Sequence, residues 1–269
     1  MNPYTSASAH AGTGIDLQQA AKDHLWLHFS RMGKNEDLPI IVRGDGCYVE
    51  DANGKRYLDG LAGLFAVQVG YSYGEEMGQA ALEQMRELPF YTTWSYAHPR
   101  AIELAQEVAR LAPGDLNRVF FTSGGAEAVE SAWKLARQYH AARGEHRWKV
   151  ISRRLAYHGT SLGALSINGV TPLRTPFEPL MPGVRHVRNT NRYHRPLEET
   201  EEQFTQTLLR ELEEAIIQEG PQTVAMVIME PVQNSGGAFT PPPGYFQGIR
   251  EICDRYGILL VADEVITGF

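Results

Sequence analysis

The last apolar run of the chain, Leu259-Leu260-Val261-Ala262, follows Gly257 and leads into Asp263-Glu264-Val265 before Thr267-Gly268. A continuous apolar run between turn residues reads as a central strand of a parallel sheet, covered on both faces. Comparable runs predict strands over residues 118–122, 148–152 and 223–230. Apolar positions at helical spacing predict helices over 99–111, 127–143, 204–219 and 245–256. Gly220-Pro221 stops the third of these helices and Gly257 the fourth. Upstream, a helix is expected over 16–29, with Leu17, Ala20, Ala21, Leu25 and Phe29 near one face, and another over 75–87. A hairpin pairs residues 47–50 with 56–59, because Asn53-Gly54 supplies the positive φ of a tight turn. Residues 60–74 are rich in glycine and apolar residues and read as a packed loop.

Strand and helix alternate from residue 118 onward, which predicts an α/β fold: a mostly parallel central sheet with helices on both faces. Ligands of such sheets bind beyond the carboxyl ends of the strands. Asp263 and Glu230 are expected at those ends. A carboxylate there needs a cation or strong donors to offset lost solvation, and a helix cap or an arginine partner would serve as well as a ligand.

The 269 residues are 43% apolar and 21% charged, enough for one large domain or one domain plus a piece. A net charge of −7 argues against a nucleic-acid surface. The arginines at 185, 188, 192 and 195 read as a solvated loop. Cys47 and Cys253 lack the spacing of a zinc site or disulfide framework, so a reducing, cytoplasmic setting is expected and no metal. Residues 1–14 do not read as a signal peptide, and no apolar run approaches the roughly 20 residues of a membrane span.

Ser123-Gly124-Gly125-Ala126 lies between a predicted strand and a predicted helix, where backbone N–H groups and the helix dipole favour an anion. It is neither a dinucleotide fingerprint nor a P-loop, and a small-residue packing turn is the competing reading. Tyr157-His158-Gly159-Thr160 follows the next strand; the ring could stack on a flat heterocycle with His158 orienting it, or simply pack in a turn. Met229-Glu230-Pro231 ends a third strand. Taken together, a phosphate cup, a stacking tyrosine and two acids at one sheet edge describe a site for a phosphorylated aromatic cation. Pyridoxal 5'-phosphate is such a molecule.

The segments 120–128, 157–159, 230–231 and 259–269 resemble, in order and spacing, the class III aminotransferases of the fold-type I pyridoxal-phosphate enzymes. Residues 59–65 and 88–91 are similar to those of omega-aminotransferases acting on amines or β-alanine with pyruvate. The resemblance implies a role at each matching position. Gly124, Gly125 and Ala126 would hold the phosphate, Tyr157 and Val265 would sandwich the ring with His158 beside it, and Asp263 would pair with the ring nitrogen. Glu230 would join the hydrogen-bond network, and Phe65, Trp94 and Tyr157 would shape the substrate pocket. It implies residues 1–65 as the start of a smaller α+β domain, residues 66–269 as the cofactor domain, and a homodimer or homotetramer. The Schiff-base lysine and the C-terminal part of the small domain are expected beyond Phe269, since Lys22, Lys34, Lys55, Lys134 and Lys149 all precede Asp263 and Lys134 and Lys149 are expected out of reach of the cofactor. The reaction implied is transfer of an amino group from an amine or ω-amino acid to a keto acid. An aminomutase, a decarboxylase or a non-catalytic fragment are the alternatives.

Overall fold

A computed structural model describes residues 16–28 and 37–269 of the chain. The expected loose start over 1–14 and the expected helix end at Phe29 lie outside the described residues. Chain contacts separate two units, Met1–His98 and Pro99–Phe269. They are units of contact within the chain, whereas the division expected after residue 65 refers to the family's domains.

In the first unit, helix α1 (Leu17–His24) starts where the Asp16 carboxylate accepts the Gln19 N–H, and Leu25 is already extended. Strands β1 (Ile41–Asp45), β2 (Tyr48–Asp51) and β3 (Arg56–Leu58) form an antiparallel sheet in sequence order. The expected Asn53-Gly54 turn joins β2 to β3, with Gly54 at φ +80°. The sequence did not reveal β1, whose glycine breaks the alternation; a Cβ at Gly44 would lie 2.5 Å from the Tyr71 ring. The loop expected over 60–74 contains a left-handed turn, α2 (Ala62–Phe65), ahead of α3 (Gly74–Glu87).

The second unit runs α4 (Pro99–Leu111), α5 (Gly125–Ala142), β4 (Lys149–Arg153), α6 (Leu162–Ile167), α7 (Thr171–Arg174), β5 (Val184–Val187), α8 (Glu201–Glu219), β6 (Val224–Met229), α9 (Tyr245–Tyr256) and β7 (Leu259–Ala262). Its strands are all parallel, in the order β5-β4-β6-β7. Helices α8 and α9 cover one face through Phe204, Leu208, Leu212, Ile249 and Cys253, while α5 and α6 cover the other through Val129, Trp133, Ala136 and Ile167. Strand β6 is buried along its whole length, and its residues divide between the two cores. It also carries a bulge: Lys149 pairs with Val224 but Val150 with Met226, leaving Ala225 extra. The Ala225 carbonyl is met by Nε2 of buried His140 at 3.0 Å, so the interrupted ladder leaves no orphan acceptor there.

Four expectations need correction. Residues 118–122 have strand-like composition but no ladder partner among the described strands, and Phe120 is 79% exposed. The segment expected as an arginine-rich loop contains β5, because Val184 and Val187 pack inward and β4 offers a parallel edge. Strand β7, expected as a covered central strand, ends at Ala262, is only partly buried and pairs with β6 alone among the described strands. Helix α8 begins at Glu201, three residues early, since Thr200 and Gln203 form a capping box. Among the described residues no helix is long and apolar enough to cross a membrane.

Candidate functional site

Register brings the two acids together. Met229 of β6 lies opposite Ala262 of β7, so Glu230 and Asp263 are the first residues past two neighbouring strand ends, and the Asp263 N–H donates to the Met229 carbonyl at 2.9 Å. From the end of β4 the chain turns back so that the Tyr157 N–H donates to Glu230 Oε1 at 3.2 Å. His158 follows, with Nδ1 2.7 Å from Asp263 Oδ2. An ionised carboxylate only accepts, so Nδ1 is the donor in this pair. The other Asp263 oxygen accepts the Val265 N–H at 3.2 Å. These contacts leave the Asp263 carboxylate lone-pair capacity for one more donor.

Helix α5 aims its N-terminus at the same place. Its N-cap, Gly124, is extended (φ −172°, ψ 165°) and has no side chain with which to cap the helix. The first intrahelical bond is Ala128 N–H to the Gly124 carbonyl. An 18-residue helix without a side-chain cap presents amide donors and a partial positive charge to an anion. Glu127 reaches back to accept the Ser123 N–H at 2.8 Å, fixing the approach to the turn. A Cβ on Gly125 would come within 2.9 Å of Val265 Cγ1, so a larger residue there must displace that side chain.

Burial sets the electrostatics. The Glu230 carboxyl is pushed above its ordinary range by burial, against the pull of His158, the Tyr157 N–H and Arg153, while Asp263 adds to the rise. Arg153 is fully buried behind it and donates to the Glu230 carbonyl. Burial also raises the Tyr157 phenol. His158 is 2% exposed, and its Nε2 has no hydrogen-bond partner among the described residues. A buried polar atom without a partner is costly and calls for a ligand or a water.

These groups line one cavity of about 810 Å³, within the range of small-molecule sites. Gly124, Gly125, Ala126, Tyr157, His158, Glu230, Asp263 and Val265 are all on its wall. Phe65 and Trp94 belong to the first unit, where Trp94 is 92% exposed. The wall also includes Thr160 of the tyrosine motif, Lys134 of α5, which was expected out of reach of the cofactor, and Glu130, Ser131 and Ser161, which did not stand out in the sequence. Helical spacing could have found the α5 residues, because 127, 130, 131 and 134 share a face with the glycine turn. The donor set matches a phosphorylated planar cation: amides for the phosphate, a partly buried ring and a valine for the plane, and an anchored carboxylate for the positive nitrogen.

A family model described as aminotransferase class-III matches residues 30–269. A probable aminotransferase of Mycobacterium tuberculosis is 56% identical over 254 residues, covering 94% of this chain and 54% of that protein. The putrescine–pyruvate aminotransferase of Pseudomonas aeruginosa is 40% identical, covering 94% of this chain and 56% of its own length. Among solved structures, an (S)-enantioselective omega-transaminase of Thermomicrobium roseum superposes with a TM-score of 0.91 at 44% identity, covering 94% of this chain and 57% of that one. The omega-transaminase of Pseudomonas jessenii in complex with PMP does so with a TM-score of 0.91 at 35% identity, covering 95% and 57%. The chain thus spans about half the length of the relatives it matches. With a family match across most of its length and the fold-type I arrangement of its sheet and helices, the chain belongs to the class III aminotransferases.

Proposed function

We propose that the protein is a pyridoxal-phosphate-dependent aminotransferase that moves an amino group from an amine or ω-amino acid to a keto acid such as pyruvate. The observation that carries this reading is the meeting, in one cavity, of the uncapped start of α5 with Tyr157 and the His158-anchored Asp263. When bound, the cofactor supplies an electrophilic aldehyde and an electron-accepting ring. The amides of Gly124, Gly125 and Ala126 hold its phosphate. Tyr157 and Val265 confine the ring, and His158 keeps Asp263 oriented so that its carboxylate holds a proton at the ring nitrogen. Buried Glu230 braces the Tyr157 backbone. The phosphate cup has Gly124 and Ala126 where a serine could add a hydroxyl contact worth about 1.5–3 kcal/mol, so backbone donors dominate.

An amine donor with pyruvate as acceptor is supported by the named substrates of the Pseudomonas aeruginosa relative. Phe65 and Trp94 are assigned to the substrate pocket, residues 1–65 to the small domain and residues 66–269 to the cofactor domain. The reading extends to a homodimer or homotetramer in the cytoplasm, in keeping with two unpaired cysteines. The test is to titrate the full-length protein, Schiff-base lysine included, with pyridoxal phosphate, then supply putrescine or β-alanine with pyruvate and measure alanine. Cofactor binding with amine-dependent alanine formation is expected. A protein that binds the cofactor yet consumes no keto acid would refute the transfer reaction in favour of a mutase or decarboxylase.

A further inference from the structure

We propose that Glu130 is a positioning residue that locks the Tyr157-His158 turn to the phosphate-binding end of α5. This rests on the cofactor reading above and adds the device that keeps its two halves in register. The N-cap of helix α6 is Ser161, whose side chain makes no capping bond to its own helix. The cap comes from α5 instead. Oε1 of Glu130 accepts from the Ser161 hydroxyl, from the Gly163 N–H at 3.0 Å and from the Ala164 N–H at 3.4 Å. A carboxylate at this position meets the amides of Gly163 and Ala164, both buried residues, which the helix start would otherwise leave unpaired.

The approach is possible because residue 163 is glycine: a Cβ there would lie 2.8 Å from Cδ and Oε1 of Glu130. Residues 163–167 are buried throughout, so α6 transmits position rather than absorbing it. At its far end Asn168 grips the site turn, accepting the His158 N–H and donating to the Gly159 carbonyl at 2.8 Å. Gly159 in turn packs directly on Ala126. Ala126 and Glu130 are four residues apart on α5, on one helix face. One helix therefore presents the phosphate donors with its first turn and fixes the ring-binding turn with its second.

The experiment compares hydrogen exchange over residues 157–164 in the cofactor-free protein with pyridoxal-phosphate affinity and the induced circular dichroism of the bound cofactor. Glu130→Ala is expected to speed exchange at Gly163 and Ala164, to weaken cofactor binding by about tenfold or more, and to alter the dichroic band. Glu130→Gln keeps an acceptor oxygen and should restore affinity to within about threefold of the wild type. Gly163→Ala, which displaces the carboxylate, should reproduce Glu130→Ala. If Glu130→Ala does not fold, Ser161→Ala removes one donor and leaves the carboxylate: faster exchange at Gly163 with weaker binding upholds the proposal, and unchanged values overturn it. Unchanged exchange and affinity in Glu130→Ala overturn it equally. A wild-type protein that fails to bind the cofactor defeats the functional reading instead, and the cofactor-free exchange data still decide whether the clamp exists.

Discussion

Gly159 is where the two halves of the site touch, and substituting it has a calculable consequence. Its φ is +120°, outside the range that residues with a Cβ normally adopt, and a Cβ would lie 2.7 Å from Ala126 Cβ, 2.8 Å from Ala126 Cα and 3.1 Å from Ala164 Cβ. The backbone strain costs about 1–3 kcal/mol. Overpacking costs about another 1–3 kcal/mol, and the Ala126 Cα belongs to a helix that cannot rotate it aside. Gly159→Ala should therefore destabilise the protein by about 2–6 kcal/mol, with an apparent Tm at least about 4 °C lower at about 2–4 °C per kcal/mol. Whatever part of the strain is relieved by pushing Ala126 outward appears as weaker cofactor binding, tenfold for each about 1.4 kcal/mol. Melting curves and pyridoxal-phosphate titrations of wild type, Gly159→Ala and Gly159→Ala/Ala126→Gly divide the contributions, because Ala126→Gly removes the contact with the Ala126 Cβ and leaves the φ strain together with the approach to the Ala126 Cα and Ala164 Cβ. A Gly159→Ala protein with unaltered Tm and unaltered cofactor titration would refute the close packing of turn against helix.

Other outcomes follow from the same structure. Asp263→Asn keeps an oxygen for His158 but loses the charge facing the cavity; turnover should fall by about 100-fold or more while phosphate-driven cofactor binding persists, and full activity would remove Asp263 from the chemistry. Phe204→Ala empties a fully buried position between α8 and the sheet and should cost about 3–5 kcal/mol in denaturant unfolding. Burial pushes the Cys253 thiol up to about 12, so a thiol reagent at pH 8 should label exposed Cys47 quickly and Cys253 only after unfolding. The Tyr57 hydroxyl, with the Lys55 and Asn53 amides, holds the Asp51 carboxyl below its ordinary value of 3.8. Its depressed folded pKa contributes stability that is present above the unfolded value and is lost as pH falls through the folded one. Carboxyl titration by NMR should place Asp51 below 3.8 and move it upward in Tyr57→Phe.

Local chemistry accounts for which parts were readable in advance. Asn53-Gly54, Pro99, Gly220-Pro221 and Gly257 punctuate the chain through backbone constraints that act wherever they occur, and the elements beside them formed near the expected places. The residues around the cavity were legible because small residues at a strand–helix turn, and acids at strand ends, are costly without a purpose. Segment 118–122 and β5 were misread for one reason: strand formation depends on a neighbour, and the neighbour is not written in the segment itself.

The amino-acid sequence by itself determined the alternation of strands and helices, the glycine turn before α5 and the acids closing β6 and β7, because periodicity and backbone stereochemistry are local. Only the tertiary structure decided that Met229 stands opposite Ala262 and that His158 spends its Nδ1 proton on Asp263. It alone seated Glu130 at the start of α6 and paired β7 with β6. Those are pairings between residues as many as 105 positions apart, set by strand order and by the exclusion of water from buried polar groups, and no local pattern encodes them.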